Sequence, residues 1–253
     1  MKKHRDHRWA ATETAQLLQR AALLQTLAQG LSYPEGTVRA DVHLKLRRIR
    51  PMGQRVPDRA LRRSLGNVRR LWASISDDTL RATYARLFLG NGPCPMRETA
   101  YGDGRRVSGR AAELSDINGF YQAFGVRPSS AQPDLPDHLC SELEFCSWLL
   151  VKLAYAQARQ CGARRLVTRR ALQAFLRDHL GRWPQAFAAE LRQIDSSSPY
   201  TRIAELVAQV VGAESRRLGV RPKLTTARAA SDSMQNERFD CPRSAAQTEL
   251  TVT

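Results

Sequence analysis

Apolar residues recur along this chain at spacings of three and four, the period of a helix with one buried face. Leu17, Ala21, Leu24 and Ala28 share such a face and Gly30 follows as a terminator, predicting a first helix over 12–29. Val38, Val42, Leu46 and Ile49 predict a second helix that stops at Pro51, with Lys45, Arg47, Arg48 and Arg50 on its solvent side. Pro57-Asp58 opens a third, whose stripe is Leu61, Leu65, Val68, Leu71, Trp72 and Ile75. Ser76-Asp77-Asp78 caps a fourth, Thr79 to Leu89, closed by Gly90. After a long Gly- and Pro-bearing stretch over 90–109, a fifth covers about 109–124, with Ile117, Phe120, Tyr121 and Phe124 inward and Gly125 as its stop.

The most apolar pattern comes after Asp134-Leu-Pro-Asp-His138, where Leu139, Leu143, Cys146, Leu149, Leu150 and Leu153 form one face. Asp134 suits the N-cap of this sixth helix, Pro136 its first turn, and Asp137 the positive end of its dipole. His138 and Glu142, four apart, share a face at its entrance. A seventh helix is expected from Thr168 to Leu180, an eighth from Trp183-Pro184 through Leu191, and a ninth from about Thr201 to Leu218. No segment alternates as a strand. The expected class is all-α: a single globular helical bundle of about nine helices over 12–219, with a basic tail at 1–11 and a disordered tail at 220–253.

Forty Lys and Arg against twenty-four Asp and Glu give a net charge of +16. That balance suits an acidic partner, nucleic acid or an anionic membrane, but is read more simply as that of an ordinary soluble protein rich in Arg. Five cysteines form no CxxC pair and leave one over, which argues for a reducing cytosol rather than a disulfide framework. The charged start resembles the head of a signal peptide, but Glu13, Gln16, Gln19 and Arg20 break up the apolar run such a peptide would need. No run reaches the roughly 18 apolar residues of a membrane span, so no stable membrane insertion is expected.

Chemistry is sparse. Neither a phosphate-cradling Gly-rich loop nor a His-Glu-x-x-His zinc helix is present. His138, Glu142 and Cys146 step along one helix face with zinc-binding residue types, yet no second cluster completes a shell. Asp137–His138 as an orienter and base lacks a nucleophile in a strained elbow. Neither cofactor nor metal nor catalytic residue is therefore expected. Charge is more informative: between Glu98 and Leu150 eight acids face four bases, a net −4 inside a protein of +16. That acidic stretch also carries many aromatics, a composition suited to a basic, partly apolar peptide and unsuited to nucleic acid.

Tyr84-Ala-Arg-Leu-Phe88, Phe120-Tyr-Gln-Ala-Phe-Gly125, Asp134-Leu-Pro-Asp-His138 and Phe175-Leu-Arg-Asp-His-Leu-Gly-Arg-Trp183 occur in this order. Together they resemble the TorD/DmsD/NarJ family of maturation chaperones for molybdenum oxidoreductases, across roughly residues 15–218. Gly92-Pro-Cys-Pro95 with Tyr101-Gly102 is most similar to the nitrate-reductase-delta-like subgroup. One departure is Asp134, where the family pattern has Glu. The resemblance implies a cytoplasmic, non-enzymatic chaperone, with a homodimer left open. It implies as partner the catalytic subunit of a molybdopterin-dependent oxidoreductase, held by its twin-arginine leader, its apoenzyme body or both until its cofactor is inserted. Carried over, Tyr84, Leu87, Phe88, Asp134, Asp137, His138 and Glu142 become the client-binding residues. The alternative from composition is an Arg-rich nucleic-acid-binding regulator, which predicts duplex binding that weakens steeply with salt.

Overall fold

A computed structural model describes residues 2–49, 59–101, 107–127 and 135–225. Nine α-helices stand among the described residues: α1 (Lys2–Leu31), α2 (Val38–Arg48), α3 (Arg59–Ser74), α4 (Asp77–Phe88), α5 (Val107–Ala123), α6 (Leu139–Ala158), α7 (Gly162–Asp178), α8 (Pro184–Ile194) and α9 (Pro199–Leu218). A single turn of 3-10 helix, Glu98–Ala100, interrupts the loop before α5. The all-α class holds, with one isolated bridge, Arg97 to His138, and no strand among the described residues.

The centre is α6, which lies along α1 on one side and α7 on the other. Its Leu143, Leu149 and Leu150 are fully buried against the stripe of α1, where Leu24, Leu27 and Leu31 are equally inaccessible. Two short side chains let these helices approach closely. Ser147 Oγ donates to the Ala21 carbonyl at 2.9 Å and Cys140 Sγ to that of Ala28 at 3.3 Å. Helix α9 closes the bundle against α1, α3, α7 and α8. There Arg20 of α1 grips Glu214 of α9 through Nε at 2.9 Å, and Arg217 joins at 3.2 Å.

Several boundaries differ from expectation for physical reasons. Gly30 does not end α1; it sits buried inside the last turn, where a Cβ would meet Ile203 Cδ1 of α9 at 2.4 Å. The backbone of α1 is helical from Lys2, so the expected basic tail is part of that helix. Helix α7 starts six residues before Thr168, because its exposed first turns carry no buried stripe for periodicity to reveal. Of the expected C-terminal tail, 226–253 lies outside the described residues. Its first part is tied down, since Thr225 N–H donates to the Arg182 carbonyl at 3.0 Å. Arg69 caps α2 from α3: its Nε donates to the Leu46 carbonyl at 2.7 Å.

The largest correction falls on the head of α6. Asp134 lies outside the described residues, and the helix begins at Leu139 with His138 as its N-cap. His138 Nδ1 accepts from the Cys140 amide at 3.3 Å. Residues 135–138 form a turn instead of a helical first turn, closed by His138 N–H donating to the Leu135 carbonyl at 3.0 Å. The preceding loop holds that turn: Leu139 N–H donates to the Met96 carbonyl and Glu98 N–H to that of Asp137, both at 2.9 Å.

Candidate functional site

The bridge between residues 96–98 and 137–139 carries two acids inward. Asp137 is fully buried, and its Oδ2 accepts from Thr99 Oγ1 at 2.6 Å and from the Thr99 amide at 3.3 Å. Glu98, also buried, receives His179 Nδ1 at 3.1 Å. One turn into α6, the buried Glu142 accepts from Trp183 Nε1 at 3.1 Å. Helix α5 adds Glu113, bonded by Arg182 at 3.2 Å, and Asp116, which meets His179 Nε2 at 3.1 Å. Both His179 ring nitrogens are therefore held by carboxylates. An open cleft of about 780 Å³ between α5 and the end of α7 leads to this cluster past Glu113, His179 and Arg182.

Five carboxylates thus form one cluster with an imidazole and a guanidinium. Four of them keep an oxygen without a hydrogen bond from the protein: Glu98 Oε1, Glu113 Oε2, Asp137 Oδ1 and Glu142 Oε1. An uncompensated buried carboxylate is costly, so burial favours the protonated forms of Glu113 and Glu142. Burial, reinforced by the charge of Glu98, pushes Glu142 well above the usual carboxylate range. Burial and Glu98 likewise raise Glu113 to about 7, against the opposing pull of Arg182 and His179. Burial disfavours the imidazolium of His179, but bonds and charge from Glu98 and Asp116 outweigh it and raise its pKa.

An aromatic ladder joins this cluster to the other half of the motif. Trp183 stacks on Tyr101 with centroids 5.4 Å apart, and both rings pack on Phe187. Phe187 meets Phe88 at 6.4 Å, and Phe88 contacts Tyr84 at 5.0 Å and Tyr200 at 5.3 Å. Leu87 is wholly buried beside them. The fold therefore brings Tyr84, Leu87, Phe88, Asp137, His138 and Glu142 into one connected unit. Its members differ in access: Phe88 and His138 are partly exposed, whereas Tyr84, Leu87, Asp137 and Glu142 are buried. Asp137, expected among the client-binding residues, turns inward to Thr99 instead of toward a client.

Glu142 and Cys146 are buried in separate contacts, and among the described residues no group of three or more His, Cys, Asp or Glu is arranged for a metal ion. Reasoning from sequence missed Glu98, Thr99, His179, Arg182 and Trp183 as members of this centre. The signal was there for three of them, since His179, Arg182 and Trp183 belong to the fourth motif. Replacing Thr99 with valine removes the shorter of two bonds to a buried carboxylate at nearly constant volume. The expected loss is about 2 kcal/mol of unfolding free energy, measured by urea denaturation. A loss under about 0.5 kcal/mol would mean that the Thr99 hydroxyl does not hold the buried Asp137 side chain in place.

An all-helical bundle with its motif residues wrapped around the head of one central helix defines the class. Residues 56–189 match the family described as nitrate reductase delta subunit, and the chain belongs to that family. This is the family that the ordered motifs pointed to. The chain is 32% identical over 146 residues to a selenate reductase assembly chaperone protein of Thauera selenatis, covering 58% of this chain and 74% of that one. A chlorate reductase assembly chaperone protein of Ideonella dechloratans is 29% identical, over 59% and 76% of the two chains. A perchlorate reductase assembly chaperone protein of Dechloromonas aromatica is 26% identical, over 78% and 88%.

Proposed function

We propose that this chain is a cytoplasmic, system-specific assembly chaperone for the catalytic subunit of a molybdopterin-dependent oxidoreductase. It engages that subunit through its leader, its apoenzyme body or both, and holds it until the cofactor is inserted and export can begin. The observation that carries this reading is the likeness to three assembly chaperones, two of them across about three quarters of their length and the third across more. The site supports it chemically. His179 has both nitrogens engaged by carboxylates, which favours a structural over a catalytic imidazole. No described helix is long and apolar enough to cross a membrane.

Within the proposed client site the residues divide the work. Tyr84, Leu87, Asp137 and Glu142 form the buried platform. Phe88 and His138 present an aromatic and an imidazole to the client, and Asp134 supplies the carboxylate for its arginines. The test is affinity capture of the tagged chain from its native host, which should recover a molybdopterin oxidoreductase subunit. Phe88→Ala combined with His138→Asn should lower the affinity for that subunit about tenfold, the scale of an interface hot spot. Asparagine keeps the helix cap, so circular dichroism should not change. Recovery of no such subunit from a host that expresses one would refute the proposal.

A further inference from the structure

At the far end of α6 the surface changes character. From Phe145 through Arg177 the chain holds seven Lys and Arg residues and no acid at all. Four of them, Arg164, Arg165, Arg169 and Arg170, stand exposed on the first turns of α7. Among the described residues no carboxylate pairs with Arg164, Arg169 or Arg170, and Arg165 bonds the neutral Gln157 at 2.6 Å. Amid these cations Leu166 is 50% exposed and Val167 62%. Tyr155, 53% exposed on the last turns of α6, lies under the Arg159 guanidinium at 5.4 Å.

The arrangement inverts an ordinary surface helix. Thr168, Leu172, Phe175 and Leu176 are the buried face of α7. Ala163, Leu166, Val167 and Arg170, at i, i+3, i+4 and i+7, are the opposite face, so its aliphatic tips point away from the core. They lie outside the buried core, and their exposed parts stay in water unless a partner covers them. Guanidiniums without internal acids suit phosphate oxygens, and aliphatic and tyrosine tips among them suit the boundary between headgroups and acyl chains. A nucleic-acid backbone would use the arginines and leave the aliphatic tips wet.

We propose that the end of the α6–α7 hairpin is a peripheral docking surface for anionic phospholipid bilayers. Arg164, Arg165, Arg169 and Arg170 meet the lipid phosphates, and Leu166, Val167 and Tyr155 enter the headgroup layer. From Glu142 to Tyr155 the helix runs about 20 Å, so a bilayer at this end leaves the motif cluster at the other free. The apolar contribution is small, which makes attachment reversible and dependent on anionic lipid.

The test is sedimentation of the full chain with vesicles. Binding is expected to equal mixtures of phosphatidylglycerol and phosphatidylcholine, not to phosphatidylcholine alone, and should disappear near about 0.5 M salt. Arg169→Gln with Arg170→Gln should lower partitioning roughly twenty-five-fold, about fivefold for each cation. Leu166→Ser with Val167→Ser should lower it several-fold at unchanged salt dependence. All four side chains are exposed, so folding by circular dichroism should be unaffected. Absence of binding to anionic vesicles at low salt would overturn the proposal. So would binding indifferent to both double substitutions, which would move contact to another basic face. Duplex DNA or RNA binding that needs the same arginines, without vesicle binding, would replace it with a nucleic-acid interface.

Discussion

Replacing His179 with alanine should lower the unfolding free energy by about 3 kcal/mol and the melting temperature by roughly 6–12 °C. The imidazolium bonds Glu98 and Asp116 at 3.1 Å each, but the two partners differ greatly in what they lose. The Asp116 side chain is 65% exposed and water replaces the bond readily. Glu98 is buried, and without His179 its nearest cation is Arg182, at 3.8 Å. Breaking a buried ion pair from one side leaves the other charge uncompensated, and that term dominates. The ring also packs edge-on against Phe120 at 5.5 Å, so truncation opens a gap between α5 and α7. Asp116→Asn is the control, with an expected change within about 0.5 kcal/mol. Equal effects of the two substitutions, measured by calorimetry, would sink the assignment of His179 as the counterion of Glu98.

Why His179 was not legible as a site residue is a matter of dimension. Charge counted along residues 98–150 is net −4 and looks like a surface island. In the fold, Glu98, Asp137 and Glu142 turn inward, and the cations nearest Glu98, His179 and Arg182, come from beyond that window. A linear count sees neither burial nor a partner eighty residues away. Helices with one apolar stripe were legible, and two of their starts with them: Ser76 caps α4 through its bond from the Thr79 amide, and Pro184 stands at the first turn of α8. The head of α6 was not, because Asp-Leu-Pro-Asp is a good local helix start that a long-range bridge from Arg97 takes over. Tyr84 and Phe88 were correctly paired by their spacing, since i and i+4 on a helix meet whatever surrounds them.

Between pH 5.5 and 8.5 the protein should become less stable, against the common pattern of a carboxylate held by a salt bridge. Glu113 has a folded pKa of about 7 against an ordinary 4.5, because burial and the charge of Glu98 oppose its ionisation. A raised carboxyl makes folding progressively costlier as pH climbs from 4.5 to 7, after which the cost is constant. Over the part of that window above pH 5.5 this amounts to about 2 kcal/mol, or about 1 kcal/mol once the open cleft screens the charge. Glu142 works in the same direction from its own burial. His179 adds to them: its pKa is raised above 6.5 in the fold, so its stabilisation is complete below 6.5 and fades as pH rises through the folded value. Asp178 and Asp195 are lowered by bonds to Arg177 and Ser197, and act only below pH 3.8, outside the window. Denaturant midpoints at pH 5.5, 7 and 8.5 should therefore fall in that order, and Glu113→Gln should flatten the first step while leaving the second. A midpoint that rises with pH would mean that Glu113 and Glu142 are ionised in the fold, with Arg182 and His179 balancing the cluster's negative charge.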